Sequence, residues 1–173
     1  MPDARRPPPF SRRVAFGLLL AAPARADSRL AAPIGPVLLS VTGRLSRPNR
    51  GAQADFDRVM LEALPRHRLD TATNWTTGVR RFEGPLVRDV LAAAGAEGER
   101  VTAVALNDYT IEIPLKDFQD YDVILAMRMD GQVLTVRNKG PVWVVYPRDR
   151  HPELRNSLYD SRWIWQLRTL QVR

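Results

Sequence analysis

The sequence predicts the α+β class, as a single compact mixed-β domain with a few short helices. Short apolar and β-branched runs follow one another through the second half of the chain, which is typical of strands. Two earlier segments instead place apolar residues at helical spacing. Removing a predicted leader from the 173 residues leaves roughly 147, enough for one domain with its own core and too few for two.

Residues 1–26 are predicted to be a cleavable export signal. Four arginines precede an apolar run over residues 14–22, and residues 24–26, Ala-Arg-Ala, form the small-x-small pattern of a signal-peptidase site. The run of about nine residues is far shorter than the roughly 20 that cross a bilayer, so no stable membrane span is expected after cleavage. Ser11-Arg12-Arg13 begins a partial twin-arginine motif, and the twin-arginine and general secretion routes both remain open. We therefore predict a protein that is periplasmic or otherwise exported.

Composition excludes several classes of site. The leader contributes +4 of the formal net charge of +7, through five Arg and one Asp, which leaves +3 for the rest of the chain. Because acidic and basic residues are interspersed there, this charge favours a small anionic ligand over a nucleic acid. The chain has no Cys and two His, which excludes disulfides, iron–sulfur clusters and the usual zinc and transition-metal sites. We predict no metal site built from these residues.

The first part of the domain is predicted to hold one strand and one short helix. Residues 27–36, rich in Ala and Pro, are predicted to be a flexible lead-in to a domain over residues 37–173. Val37–Val41 is predicted to be the first strand, because it is β-branched and apolar. Asp55 is predicted to cap a helix over residues 56–64, where apolar side chains have helical spacing.

Strands dominate the rest of the domain. A second helix is predicted to begin at Pro85 and to end before Gly95. Asp130-Gly131 is a hairpin-turn signal, and residues 114–120 are predicted to be a short helix or turn. Extended segments are predicted at residues 68–73, 101–106, 110–113, 123–129, 133–136, 141–146 and 163–172.

Four segments occur in an order that is specific when they are taken together. They are Phe82-Glu83-Gly84-Pro85-Leu86 into Asp89-Val90-Leu91, Asn107-Asp108-Tyr109 into Ile113-Pro114-Leu115, Ala126 to Asp130-Gly131 into Leu134, and Gly140 to Pro147 followed by Ser161-Arg162-Trp163-Ile164. On these segments the chain resembles the sulfite-oxidase family of molybdopterin-binding oxidoreductase domains, as a short, cysteine-free member. The resemblance implies a sulfite-oxidase-like molybdopterin-binding fold and an oxidoreductase-like function.

The resemblance also implies molybdopterin as the cofactor and a cysteine thiolate as the protein's ligand to molybdenum. The ligand-bearing segment would fall at Asp70-Thr71-Ala72-Thr73-Asn74, where no side chain is a thiol. Oxygen donors substitute poorly for a soft thiolate. We therefore expect neither tight molybdopterin binding nor conventional molybdenum catalysis, and we assign no catalytic residue.

The family anchors its phosphate through a His-Gly-x-Pro-x-Arg arrangement and a later Lys. The matching stretch here is Lys139-Gly140-Pro141-Val142-Trp143, with Trp143 at the expected arginine, and Arg162 stands in place of the Lys. The resemblance makes Lys139 and Arg162 candidate contacts for a bound anion. For Arg162 the alternative is a local surface pair with Asp160.

Asn107, Asp108 and Tyr109 are the other candidate binding residues, because they lie side by side between two predicted strands. The alternative is that Asn107 and Asp108 only stabilise the turn through bonds to the backbone. Trp163 and Trp165 would share one face of the last predicted strand, where they either line a pocket or pack in the core.

Two functions are consistent with this sequence. The first is an exported oxidoreductase-like domain that still binds a molybdopterin-type cofactor. The alternative is a non-enzymatic periplasmic domain that keeps the fold and binds or senses a small anion or a partner protein. The missing thiolate favours the second function.

Overall fold

A computed structural model describes residues 30–173, so the predicted export signal lies outside the described residues. Within this range the chain forms strands β1 (Val37–Gly43), β2 (Ala54–Asp57), β3 (His67–Ala72), β4 (Val79–Gly84), β5 (Arg100–Ala105), β6 (Thr110–Pro114), β7 (Ile124–Ala126), β8 (Arg128–Met129), β9 (Gln132–Val133), β10 (Trp143–Val145) and β11 (Leu167–Val172). The α-helices are α1 (Arg58–Ala63), α2 (Val87–Ala93), α3 (Leu115–Asp120) and α4 (Ser157–Asp160). Short 3-10 helices lie at Val136–Asn138 and Pro152–Leu154.

The largest sheet holds five strands in the order β2-β1-β11-β5-β6. β1 and β11 are parallel, with Ser40 opposite Thr169 and Gly43 opposite Val172, whereas the other neighbours in this sheet are antiparallel. The first and last strands of the domain therefore pair side by side. This mixed sheet confirms the predicted mixed-β, α+β architecture.

Two smaller sheets complete the domain, one in the order β3-β4-β8-β9 and one formed by β10 and β7. β7 crosses the end of β4, where the Leu125 amide donates to the Pro85 carbonyl at 2.8 Å. Gly84 lies at this crossing, and a Cβ there would be 1.8 Å from the carbonyl oxygen of Leu125. Only glycine permits the close approach that joins the two smaller sheets.

One cluster of buried apolar side chains draws on all three sheets. Leu39 of β1, Phe82 of β4 and Trp143 of β10 are fully buried in it. Burying one such side chain stabilises the fold by roughly 1.5–3 kcal/mol. The shared core confirms the prediction of a single compact domain.

No helix among residues 30–173 has the length and apolar character of a bilayer span.

The first predicted helix begins later than expected. Its predicted cap, Asp55, lies in β2, whose four residues are all buried and paired with β1. The Asp55 carboxylate accepts from the Ser40 hydroxyl at 2.6 Å. The N-cap of α1 is Asp57, which accepts from the backbone N–H of Met60 at 2.9 Å. Strand pairing and burial here outweigh helical spacing, so the prediction of Asp55 as the cap is wrong.

The second predicted helix is displaced for a similar reason. α2 begins at Val87 rather than at Pro85, because the chain stays extended through β4. β4 pairs with β3 along its whole length. It is absent from the predicted strands because Arg80, Arg81 and Glu83 interrupt its apolar pattern.

Several predicted strands are shortened or divided. The segment predicted at residues 123–129 is divided into β7 and β8. The strand predicted at residues 133–136 is limited to β9, because a 3-10 helix follows it. The last strand begins at Leu167 rather than at Trp163, since Gln166 has a left-handed φ of 52°. Trp163 and Trp165 therefore do not share one face of a strand.

The described part of the predicted lead-in is held against the domain. The backbone N–H groups of Ile34 and Gly35 each donate to the Asp57 carboxylate at 2.8 Å. Because the same carboxylate caps α1, Asp57 ties the chain before β1 to the end of β2.

We expect Asp57 to make the stability of the domain depend on pH on the acid side. The backbone N–H groups of Met60 and Gly35 hold the pKa of Asp57 below its ordinary value. A carboxylate with a lowered pKa stabilises the fold above its unfolded pKa, and this contribution is lost as the pH falls through the folded pKa. Asp57→Asn should therefore flatten the loss of stability below about pH 4. Urea denaturation between about pH 6 and about pH 2 measures this, and parallel profiles for the two proteins would contradict it.

Candidate functional site

A cleft of about 260 Å³ opens between three parts of the chain: the end of β5 with its following loop, the loop after β3, and the segment from α4 to β11. We refer to it as the tryptophan cleft. Its walls combine aromatic side chains with three polar ones: Trp75, Tyr109, Trp163, Trp165, Asn107, Asp160 and Ser161. A largely apolar pocket with a few polar groups is the usual form of a small-molecule site.

Four tryptophans from distant parts of the sequence pack together around this cleft. The ring centroid of Trp75 lies 5.9 Å from that of Trp163 and 5.4 Å from that of Trp165. Trp143, fully buried in β10, lies 6.4 Å from Trp75. Aromatic pairs of this kind contribute roughly 0.5–1.5 kcal/mol beyond the area they bury. Trp163 and Trp165 therefore both line a pocket and pack against the core, so the two predicted alternatives hold together.

Lys139 places a cation beside the cleft wall. Its Nζ lies 5.2 Å from the ring centroid of Trp165 and 5.8 Å from that of Trp143. The residue is half-buried and has a left-handed φ of 74°. No carboxylate among the described residues pairs with Lys139. Lys116, by comparison, forms an ion pair with Asp120. Lys139 is not itself a lining residue of the cleft, but its charge adjoins the wall residue Trp165 and is not compensated by a carboxylate.

Arg162 is committed to a buried network and does not line the cleft. Its guanidinium donates to the Asp117 carboxylate at 2.6 Å and lies 4.8 Å from the ring centroid of Tyr159. The Tyr146 hydroxyl donates to the same Asp117 oxygen at 2.8 Å, and burial together with this carboxylate raises the pKa of Tyr146. The partner of Arg162 is thus Asp117 rather than Asp160, and its charge is already compensated.

The loop between β5 and β6 contributes two of its three candidate residues to the cleft. The Asn107 side chain accepts from the backbone N–H of Tyr109 at 3.2 Å, which stabilises the turn. The Tyr109 hydroxyl donates to the Ser161 carbonyl at 3.1 Å across the cleft rim. Asp108, at a left-handed φ of 63°, instead pairs with Arg168 at 3.2 Å. Asn107 and Tyr109 therefore line the cleft while also serving the turn.

Residues 70–74 cover the end of β3 and the loop after it. The resemblance places the metal ligand in this segment. Asp70 accepts from Arg81 at 2.9 Å and 3.0 Å, and this guanidinium holds the pKa of Asp70 below its ordinary value. Asn74 donates to Asp160 at 2.7 Å. The polar side chains of this segment are therefore bound within the domain.

The donor chemistry of this segment does not fit a protein-ligated molybdenum. The Thr71 and Thr73 hydroxyls are hydrogen-bonded within the domain, no thiol is present, and oxygen donors substitute poorly for a soft thiolate. Trp143 occupies the position at which the family's motif has an arginine. It is buried against Phe82 and offers no cation to a phosphate. Within residues 30–173 no cluster of three or more His, Asp or Glu side chains could hold a metal ion.

Part of this arrangement could be predicted from the sequence. The binding roles of Lys139, Asn107 and Tyr109 stay predictions, but these residues do lie in or beside one cleft. Trp75 was not predicted as a wall residue, because its neighbours at the cleft lie far away in the sequence. The available signal was the count of four tryptophans in the chain.

Residues 51–149 match the family model of the oxidoreductase molybdopterin binding domain. Among solved structures, the chain is similar to the crystal structure of the sulfane dehydrogenase SoxCD from Paracoccus pantotrophus, with a TM-score of 0.58 and 19% sequence identity. The similarity covers 78% of this chain and 37% of that chain, so this chain spans well under half the length of that relative. No curated protein sequence matches. The expected sulfite-oxidase-like fold is confirmed.

Arg162→Ala should destabilise the domain strongly, because it leaves the buried Asp117 carboxylate without its charged partner. We expect a loss of about 3–5 kcal/mol in the free energy of unfolding. Arg100→Ala, which breaks an exposed pair with Glu112, is the matched control and should cost less than about 1 kcal/mol. Urea denaturation at neutral pH measures both. Equal losses in the two variants would argue against a structural role for Arg162.

Proposed function

Because the chain belongs to the oxidoreductase molybdopterin binding domain family, we propose that it is an exported member that binds a small anion in the tryptophan cleft without conventional molybdenum catalysis. That family consists of molybdopterin-binding, oxidoreductase-like domains. The proposal concerns how this chain departs from that general function. Its ligand would occupy a cleft whose walls come from three parts of the fold.

The ammonium of Lys139 is the observation that carries the proposal. It lies 5.2 Å from the Trp165 ring, beside the cleft wall, and no carboxylate among the described residues pairs with it. A cation next to apolar walls attracts an anion more strongly than one in bulk water, because the local dielectric is lower. Arg162, by contrast, is compensated by Asp117. This difference supports Lys139 rather than Arg162 as the anion contact.

Side chains of the loop between β5 and β6 support the binding of a small ligand. Asn107 uses its Oδ1 within the turn, so its amide hydrogens are free to donate to a ligand. The hydroxyl of Tyr109 donates to the Ser161 carbonyl, so its lone pairs remain for a donor on the ligand. A few such groups on apolar walls are enough to orient a small molecule.

The donor set of residues 70–74 supports the loss of conventional catalysis. Molybdenum in this family is held by a thiolate, and the segment offers only oxygen donors that are already hydrogen-bonded. Binding that stabilises one conformation of the domain would serve a sensing function without any chemical step.

Export is supported by the pattern of residues 1–26. Arginines, a short apolar run and Ala-Arg-Ala follow one another in the order of a secretory signal. A periplasmic location would bring the cleft into contact with small anions outside the cytoplasm.

Molybdenum and pterin analysis tests the loss of the cofactor. The full precursor is expressed in a host that makes molybdopterin, and the exported form is purified. We expect both molybdenum and pterin to fall far below one per chain, because no thiolate holds the metal and Trp143 replaces a phosphate-binding arginine. A cysteine-containing member of the family from the same host is the positive control. Stoichiometric metal and pterin would overturn the proposal.

Mass spectrometry of the periplasmic fraction tests export. We expect a mature chain that begins at Asp27, after the cut that follows Ala26. Replacing both Arg12 and Arg13 with lysine separates the two routes, because twin-arginine export depends on the arginine pair. Uncleaved protein confined to the cytoplasm would be the contrary result.

A further inference from the structure

The walls of the tryptophan cleft present aromatic surfaces that do not stack flat on one another. Trp75 meets Trp163 at an interplanar angle of 47° and Trp165 at 71°. Tyr109, at the rim, is 46% exposed. Planar rings pack against such surfaces in offset or edge-to-face arrangements. The walls therefore favour a planar aromatic ligand over a bare inorganic anion.

The size of the cleft limits this ligand to a small molecule. A cavity of about 150 Å³ is enough to hold benzene. The tryptophan cleft, at about 260 Å³, has room for one or two fused rings with a short polar arm.

The charges around the cleft suit a ligand with one negative charge. Lys139 adjoins the wall residue Trp165, and no carboxylate among the described residues pairs with it. Asp160 is itself a wall residue, and its charge is offset because Asn74 donates to it at 2.7 Å and Arg148 lies 3.9 Å away. A second charge on the ligand would meet the Asp160 carboxylate rather than another unpaired cation. This arrangement disfavours dianions such as phosphate monoesters.

We propose that the ligand of the tryptophan cleft is an aromatic monocarboxylate, with its ring against Trp75 and Trp165 and its carboxylate at the ammonium of Lys139. The assignment rests on the proposed function and narrows it from small anions in general to one chemical class. The amide hydrogens of Asn107 supply a second donor to the ligand.

Isothermal titration calorimetry of the exported chain tests this class with four probes. Indole-3-acetate carries both a ring and one charge, indole-3-acetamide carries the ring alone, acetate carries the charge alone, and phenyl phosphate carries a ring and two charges. We expect indole-3-acetate to bind at least about tenfold more tightly than each of the other three, because only it satisfies both the walls and Lys139.

Variants of Lys139 test the contact itself. Lys139→Gln should weaken indole-3-acetate at least about tenfold and leave indole-3-acetamide within about threefold, because only the charged contact is lost. Lys139→Arg keeps the charge and should keep most of the affinity. Lys116→Gln, at an exposed position of α3, is the matched control and should change neither affinity. Thermal unfolding of each variant confirms that it is folded.

Three results would overturn the assignment: equal affinity for the acid and its amide, unchanged binding in Lys139→Gln, or acetate or phenyl phosphate binding as tightly as indole-3-acetate. The last result would leave anion binding intact and remove only the aromatic monocarboxylate class. Stoichiometric molybdenum and pterin would instead overturn the proposed function, so the two failures are distinguishable.

Discussion

Packing among four tryptophans is the constraint on which the shape of the cleft depends. The rings lie in or next to strands of three different sheets: Trp75 after β3, Trp143 in β10, and Trp163 and Trp165 before β11. Main-chain bonds reinforce the contact, since the Val144 amide donates to the Ile164 carbonyl at 2.9 Å. The cleft is therefore formed where the three sheets meet. Trp163 belongs to the buried core, and Trp75 and Trp165 pack against it, so the aromatic part of the wall is continuous with the core.

The two cations that the resemblance singles out have different surroundings, and this difference decides what each contributes. Burying Arg162 costs solvation free energy that only close partners offset, and Asp117 and the ring of Tyr159 supply them. Lys139 keeps its ammonium at the faces of two indoles, where cation–π attraction is worth roughly 0.5–2 kcal/mol and leaves its hydrogen-bond donors free. Arg162 therefore holds the fold together beside the cleft, whereas Lys139 is the cation that we propose as the ligand contact.

Local patterns in the sequence were sufficient for the fold class, most strands and the turn at Asp130-Gly131, because each depends on neighbouring residues. Long-range pairing decided the rest. Asp55 and Asp57 are equivalent as caps by local pattern, and only the pairing of β2 with β1 distinguishes them. Arg162 has Asp160 two residues away, yet its partner, Asp117, is 45 residues away. No local pattern brings Trp75 to the side of Trp165.

Fold and metal chemistry can separate in this family because they depend on different numbers of atoms. The sheets and the core rest on many buried apolar side chains, which tolerate exchange when volume and pattern are kept. Ligation of molybdenum by the protein rests on one sulfur atom. A chain without that sulfur keeps the fold, provided that its buried polar groups find partners, as the residues of the segment 70–74 do. What such a chain can still do then depends on the groups left for a ligand, and the proposed site uses one of them, the ammonium of Lys139, which has no carboxylate partner among the described residues.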